Sequence, residues 1–280
     1  MPAAAGPVGG PRAPGARVGP VRAYAQGVRL LGEGLARYAR TPRLMVLGLI
    51  PVAVTALLFT AALAGLLFFL GDLATAATWF ADDWSPGARN LVRVLVGAAI
   101  LGAAVLLGVV SFTALTLAIG EPFYERISAH VEEACGGGPE EVQSGFLRSV
   151  ATGLVDSARM LALTGEVGVA LFLAGFLPLV GQSVVPVLAA TAGGWFLALE
   201  LVGIPFSRRG LRLADRRRAL RAHRARALGF GTAVFLCFLV PGGAVLVMPA
   251  AVAGGTLLAR QALGLPTAAG GAGTTSPPPR

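Results

Sequence analysis

Arginine is the residue type in this sequence whose number and spacing most directly suggest chemistry. Residues 200–227 carry nine arginines against two acids, Glu200 and Asp215. The nine are Arg208, Arg209, Arg212, Arg216, Arg217, Arg218, Arg221, Arg224 and Arg226. A guanidinium group stays charged at physiological pH and offers a planar fork of donors that suits carboxylates and oxyanions. The segment therefore predicts contact with negative charge.

Two interpretations of this basic segment remain open. In the first, it fixes the orientation of the chain in a membrane and holds anionic lipid head groups, helped by an apolar seam of Leu213, Leu220 and Ala227. In the second, it forms an electrostatic funnel for a small anion. The second interpretation makes Arg208 and Arg209, which come shortly after Pro205, the candidate anion-binding residues.

Backbone amide groups offer another kind of anion site. Two long apolar runs are interrupted by Pro and Gly, and a new helix is expected after each interruption. The free N–H groups and the dipole at a helix start favour an anion, so we consider Gly181, Ser183, Gly242 and Gly243 as substrate-binding candidates. The alternative is that these residues only form tight turns, with Ser183 capping its helix.

Acidic side chains are the third group with potential chemistry. Glu166 and Glu200 bracket one apolar run and are the better candidates for coupling transport to protons. Four further glutamates are expected on the solvated face of a cytoplasmic helix: Glu121, Glu125, Glu132 and Glu133.

Metal binding and catalysis find no support in the sequence. The two cysteines, Cys135 and Cys237, belong to no Cys/His cluster. No nucleophile elbow, zinc-protease or phosphate-loop motif occurs. We therefore expect no metal, no cofactor, no catalytic residues and no enzyme activity.

The arginines, glycines and glutamates named above lie on, or next to, predicted membrane helices. Of the 280 residues, 55% are apolar and only 13% are charged, with a mean hydropathy of +0.73. Four runs lack any charge: 44–70, 94–119, 167–199 and 228–259. Each is longer than the roughly 20 residues that a membrane-spanning helix needs. The composition thus excludes a soluble globular enzyme and a disordered chain, and predicts an integral membrane protein.

The distribution of arginines predicts how the runs cross the bilayer. The first 43 residues hold seven arginines and one acid, Glu33, so this segment and residues 200–227 should both be cytoplasmic. The first two runs then cross out and back. The third and fourth must enter and leave on the same side, as hairpins whose arms we estimate at about 11–15 residues each.

The predicted fold class is therefore an all-α integral membrane protein. It has two full transmembrane helices, two hairpins broken by Pro and Gly that can penetrate only part of the bilayer, and amphipathic cytoplasmic helices. We expect amphipathic helices at 24–40 and 144–163, and a membrane domain over 24–262. Residues 1–23 and 263–280 are expected to be disordered tails, and both termini are expected to be cytoplasmic.

The partners follow from the same features. Irregular backbone at membrane depth must be surrounded by protein, which means packing against the two full helices or oligomerisation, and we expect a homo-oligomer. Anionic lipid and a small anion suit the arginines. We expect no binding of nucleic acid, because the sequence contains no basic surface interleaved with aromatic residues.

Four stretches together resemble a known family. They are residues 27–51, which lead through Thr41-Pro42 to Pro51; Pro122-Phe123-Tyr124-Glu125-Arg126; residues 199–210 with the arginines that follow; and residues 240–256. In order and spacing they resemble the bacterial CysZ-like sulfate permeases, which carry the etoposide-induced-protein domain. The resemblance implies two long helices with two half-penetrating hairpins, and uptake of sulfate.

The sequence departs from the family at one motif. A Gly-Leu-Arg motif, which the resemblance links to anion binding, is expected after the helix-breaking proline. This chain reads Arg43-Leu44-Met45-Val46 there, so Arg43 is the cation available in its place. Two hypotheses follow: a transporter or channel for an oxyanion such as sulfate, or a non-transporting membrane scaffold or stress-related protein of the same fold.

Overall fold

The computed structural model describes residues 19–139, 146–178, 180–240 and 242–268, with only the backbone of 146–152 and of residue 180. The outer parts of both expected tails, residues 1–18 and 269–280, lie outside the described residues. So do the start of the amphipathic segment predicted at 144–163, and Pro241.

Helices make up almost all of the described chain. They are α1 (Pro20–Arg40), α2 (Pro42–Ala77), α3 (Pro86–Ala134), α4 (Phe146–Gly175), α5 (Val180–Leu201), α6 (Gly203–Ser207), α7 (Leu213–Ala222), α8 (Arg224–Phe238) and α9 (Gly243–Ala262), with a 3-10 turn at Trp79–Ala81. Within the described ranges five helices are long and apolar enough to cross a membrane: α2, α3, α4, α5 and α9. The prediction of an all-α membrane protein is confirmed.

Helices α2 and α3 form a long antiparallel pair. Each starts with proline at its first position, where the missing N–H costs nothing. Phe59 and Phe112 pack edge to face with ring centroids 5.5 Å apart, and Gly97 lies against Ala74. This register puts the start of α2 and the end of α3 at one end of the molecule. The Trp79–Ala81 turn lies at the other end, where Arg93 pairs with Asp82 at 2.9 Å.

Helices α8 and α9 form the second predicted hairpin. The turn between them uses Gly242 at φ +77°, a left-handed conformation that glycine adopts without strain. Gly242 borders a groove of about 720 Å³ together with Phe59, Leu63 and Gly108. Because Phe59 is close to the midpoint of α2, the hairpin ends beside the middle of the long pair. The two arms of this hairpin are thus shorter than α2 and α3, the helices beside which it ends.

Helices α4 and α5 form the first predicted hairpin, but its arms differ from the estimate. They contain 30 and 22 residues. The estimate of 11–15 residues is wrong for these arms and for the 20 residues of α9, while α8, with 15 residues, fits it. From Phe146 onward, helix α4 runs without a break through the expected amphipathic segment, including polar residues such as Asp156 and Arg159, and into the third charge-free run. Charge-free runs therefore underestimate helix length.

Helix α1 crosses both arms of the second hairpin at glycines. It begins at Pro20, four residues before the predicted start, and buries Gly27, Leu30 and Gly34. Gly27 lies against the backbone of Arg226 and Phe230 in α8, and Gly34 against the backbone of Ala250 and Gly254 in α9. Only the absence of a Cβ allows helix backbones to approach this closely.

Candidate functional site

The two arginine-rich segments meet at one end of the molecule. Helix α7 leads directly into α8, and α8 packs on α1 with Gly229 against the backbone of Tyr24. Arg226 joins three helices, because its Nη2 donates to Gln26 Oε1 at 2.9 Å and its Nη1 donates to Gln261 Oε1 at 3.0 Å. This end, which we call the basic end, also contains the last residues of α3.

Arg208 and Arg209 share one buried carboxylate at the basic end. Arg208 Nη1 donates to Glu132 Oε2 at 2.8 Å, and Arg209 Nη1 forms an ion pair with Glu132 Oε1. The Glu132 side chain is fully buried, whereas the two arginine side chains are 21% and 14% exposed. The expectation of a solvated Glu132 is wrong, because α3 turns this residue toward the short helix α6 and the residues that follow it.

Arg260 lies almost completely buried next to Glu132, Arg208 and Arg209. Its three donors reach backbone carbonyls: Nη2 to Cys135 at 2.8 Å, Nη1 to Gly137 at 2.9 Å and Nε to Pro266 at 2.7 Å. Carbonyls that follow a helix carry the negative end of its dipole, so a cation suits this position. Arg260 therefore donates hydrogen bonds to the carbonyls that follow α3 and links the segment after α9 to them.

Arg37 and Cys135 tie the same segment to α1. Arg37 Nη2 donates to the carbonyl of Thr267 at 2.7 Å, and its Nη1 lies 3.2 Å from Cys135 Sγ. The Cys135 thiol in turn donates to the Thr267 carbonyl at 3.3 Å. Pro266 and Thr267, in the segment expected to be a disordered tail, thus accept hydrogen bonds from side chains of α1 and α9 and from Cys135, which follows α3.

Arg216 is the centre of a second charge cluster. Its guanidinium packs over Gly203, and it interacts electrostatically with Glu200 of α5 and Asp156 of α4. Burial lowers the pKa of Arg216 from its ordinary value, and both carboxylates oppose that shift. Asp156 also accepts a hydrogen bond from Leu213 N at 3.1 Å, which fastens the start of α7 to the first hairpin.

The hairpin glycines lie far from the arginine pair. Gly242 borders the same groove as Gly108, and 24 residues of α3 separate Gly108 from Glu132, roughly 36 Å at 1.5 Å per residue. Gly181 is at the opposite end of α5 from Leu201, roughly 30 Å away by the same rise.

The amides of two candidate glycines already have acceptors. Gly181 N donates to Leu177 O at 2.8 Å, and Gly243 N donates to Val240 O at 2.8 Å. Both bonds close the turns, which favours the tight-turn interpretation for these two residues. Ser183 lies on the exposed side of the first turn of α5.

Arg43 lies in the first turn of α2 with its side chain exposed. The antiparallel register of α2 and α3 puts it at the basic end, near the level of Ser128. It makes no hydrogen bond or ion pair with any residue that the structure describes. The structure therefore brings Arg43, Arg208 and Arg209 to one end, and separates them from the hairpin turns.

Comparison with known proteins agrees with this architecture. A family described as "Sulfate transporter CysZ/Etoposide-induced protein 2.4" matches residues 30–249, which include helices α2 and α3 and the three residues Glu132, Arg208 and Arg209. The chain belongs to this family. The expected family resemblance is confirmed.

Individual members named "Sulfate transporter CysZ" share parts or most of the chain. The protein of Pectobacterium atrosepticum is 38% identical over 90 residues, 32% of this chain and 33% of the relative. That of Vibrio parahaemolyticus is 30% identical over 149 residues, 52% of this chain and 60% of the relative. That of Pseudomonas fluorescens SBW25 is 29% identical over 243 residues, 82% and 89% respectively. The first two matches thus cover less than two thirds of the relatives' own length.

Sequence reasoning missed Glu132, Arg260 and Arg37 as members of the site. A signal for Glu132 existed, because Tyr124, Ser128 and Glu132 follow at intervals of four and share the buried face of α3. No comparable signal marks Arg260, because two of its three partners are backbone carbonyls more than 100 residues away in sequence.

Proposed function

We propose that this CysZ-family chain is a bacterial inner-membrane transporter or channel for a small oxyanion such as sulfate. The observation that carries the proposal is the family match over residues 30–249. The five helices with membrane-spanning character within the described chain support it, because movement of a solute through a bilayer needs a multi-pass protein. The relatives are themselves named as sulfate transporters.

In this proposal the basic end is the cytoplasmic mouth of the pathway. Arg208 and Arg209 attract the oxyanion and raise its local concentration, since clefts lined by one sign of charge speed encounter with the opposite sign. Arg43, exposed at the same end, adds to this field in the place where the family has its Gly-Leu-Arg motif. The hairpin turns would act farther along the pathway, with Ser183 and Gly242 as their candidate contacts.

The orientation of the chain is part of the proposal. The meeting of both arginine-rich segments at one end supports a common cytoplasmic side, where anionic head groups also bind arginine. We expect Ser85→Cys to react with a membrane-impermeant maleimide in intact cells and Ala222→Cys to react only after lysis. Both positions are exposed. Cys135 and Cys237 are replaced by serine first, and labelling of Ala222→Cys in intact cells would contradict this orientation.

Sulfate flux tests the proposed function directly. Proteoliposomes containing the chain should take up radiolabelled sulfate, and Arg208→Ala/Arg209→Ala should lower the rate per correctly oriented molecule by about tenfold, the low end of the effect of focused charge on encounter. The wild-type rate should also fall as salt screens the site over a Debye length of ~8–10 Å.

The matched control removes two exposed arginines of the same segment, as Arg218→Ala/Arg221→Ala, and should lose less flux. Wild-type flux equal to that of empty liposomes would favour the non-transporting scaffold. Equal flux and equal salt dependence in both double variants would leave Arg208 and Arg209 with a topological role.

A further inference from the structure

The Glu132 carboxylate lies between the two arginines as an oxyanion would. Its two oxygens contact different guanidinium groups, Oε2 that of Arg208 and Oε1 that of Arg209. Carboxylates and tetrahedral oxyanions present a similar edge of two acceptor oxygens to guanidinium donors. The arrangement that holds Glu132 is therefore also an arrangement for a free oxyanion.

Arg208 and Arg209 differ from Glu132 in their exposure to solvent. Both arginine side chains reach solvent, whereas Glu132 does not. Glu132 is covered by the glycine segment after α3: a Cβ on Gly138 would lie 3.3 Å from Glu132 Oε2 and 3.5 Å from Arg208 Nη2. A solute can therefore approach the two arginine side chains from solvent, while the carboxylate contacts their guanidinium groups from inside the protein.

We propose that Arg208 and Arg209 form a binding site for a tetrahedral dianion of the sulfate class, and that Glu132 occupies this site as a tethered competitor. Exchange of Glu132 for the dianion places one negative charge against each guanidinium. Because the competitor is part of the chain, the site binds the dianion weakly until Glu132 leaves. This inference rests on the proposed function and adds how its cytoplasmic site is regulated.

Removal of the competing charge should expose the site. In the full chain purified in detergent, sulfate should raise the unfolding temperature of Glu132→Gln more than that of wild type, with chloride at equal ionic strength as the reference. The apparent affinity for sulfate should tighten by about tenfold, because a charge-assisted hydrogen bond to the competitor no longer has to be broken. The triple variant Glu132→Gln/Arg208→Gln/Arg209→Gln should lose this sulfate effect.

A second variant keeps the test decisive if Glu132→Gln does not fold. Glu132→Asp retains the charge but is one methylene shorter, so it cannot bridge both arginines, and sulfate should again stabilise it more than wild type. An equal sulfate shift in wild type and both variants would overturn the proposal. Failure of both variants to fold in sulfate would also overturn it, leaving Glu132 as a purely structural ion-pair partner.

The shift in unfolding temperature measures sulfate binding, and the flux assay measures transport, so the two proposals can fail independently. A sulfate-dependent shift in Glu132→Gln without any wild-type flux would contradict the proposed function but not the site. Wild-type flux without a larger shift in Glu132→Gln or Glu132→Asp would contradict the tethered competitor but not the function.

Discussion

Gly34→Ala should leave little correctly folded protein, whereas Gly32→Ala on the same helix should be neutral or stabilising. A Cβ at Gly34 would overlap the carbonyl oxygen of Ala250 and lie 2.6 Å from Gly254 N, both of which are backbone atoms of α9. Neither helix can rotate a side chain away, so α1 and α9 must separate. A Cβ at Gly32 meets nothing within 4 Å.

The expected size of the Gly34 effect is about 3 kcal/mol or more, the upper part of the range for overpacking, because the clash is with backbone. Alanine at Gly32 should gain up to about 1 kcal/mol from helix propensity. Thermal unfolding and the yield of monodisperse protein in detergent measure both. Equal stability of the two variants would show that α1 and α9 do not cross at Gly34.

Arg260→Met should destabilise the protein by several kcal/mol. Methionine fills similar space but leaves the carbonyls of Cys135, Gly137 and Pro266 without their donor, at about 1–3 kcal/mol for each buried group left unsatisfied. The stability of Arg260→Lys should lie between that of wild type and that of Arg260→Met. Its ammonium group keeps the positive charge but lacks the planar fork of donors that lets arginine reach three carbonyls at once.

The control for Arg260 is Arg29→Met, which removes an exposed arginine of α1. Its unfolding temperature should stay within the small range typical of surface substitutions. Limited proteolysis gives an independent measurement, since loss of Arg260 should also free residues 264–267 for cleavage. An Arg260→Met variant as stable and as resistant as wild type would refute the structural role of this arginine.

Several features of the fold could be predicted because they depend on local sequence. Long apolar runs specify membrane helices, and Pro with Gly in mid-run specifies turns, as the left-handed Gly242 illustrates. The arm lengths of the first hairpin could not be predicted in this way. Helix α4 continues through Asp156 and Arg159, and Asp156 gains a partner only when α7 packs against it.

The candidate site also combines features that the sequence predicts with features that it does not. Sequence alone identified Arg208, Arg209 and Arg43 as available cations, because arginine carries its charge and donors wherever it lies. The sequence did not reveal that Glu132 pairs with Arg208 and Arg209. The ion pair of Arg208 with Glu132 joins residues 76 positions apart, and the hydrogen bond from Arg260 to Cys135 joins residues 125 positions apart.

Hydropathy, charge and backbone restrictions act within each segment of the chain, and they predict an all-α membrane protein with two long helices and two broken hairpins. Contacts between distant segments bury Glu132 between two arginines, place Arg260 at the end of α3 and set the crossings of α1 at its glycines. These outcomes depend on which helix faces approach one another, and burial makes an unpaired charge or an added methyl group costly only after that approach is fixed.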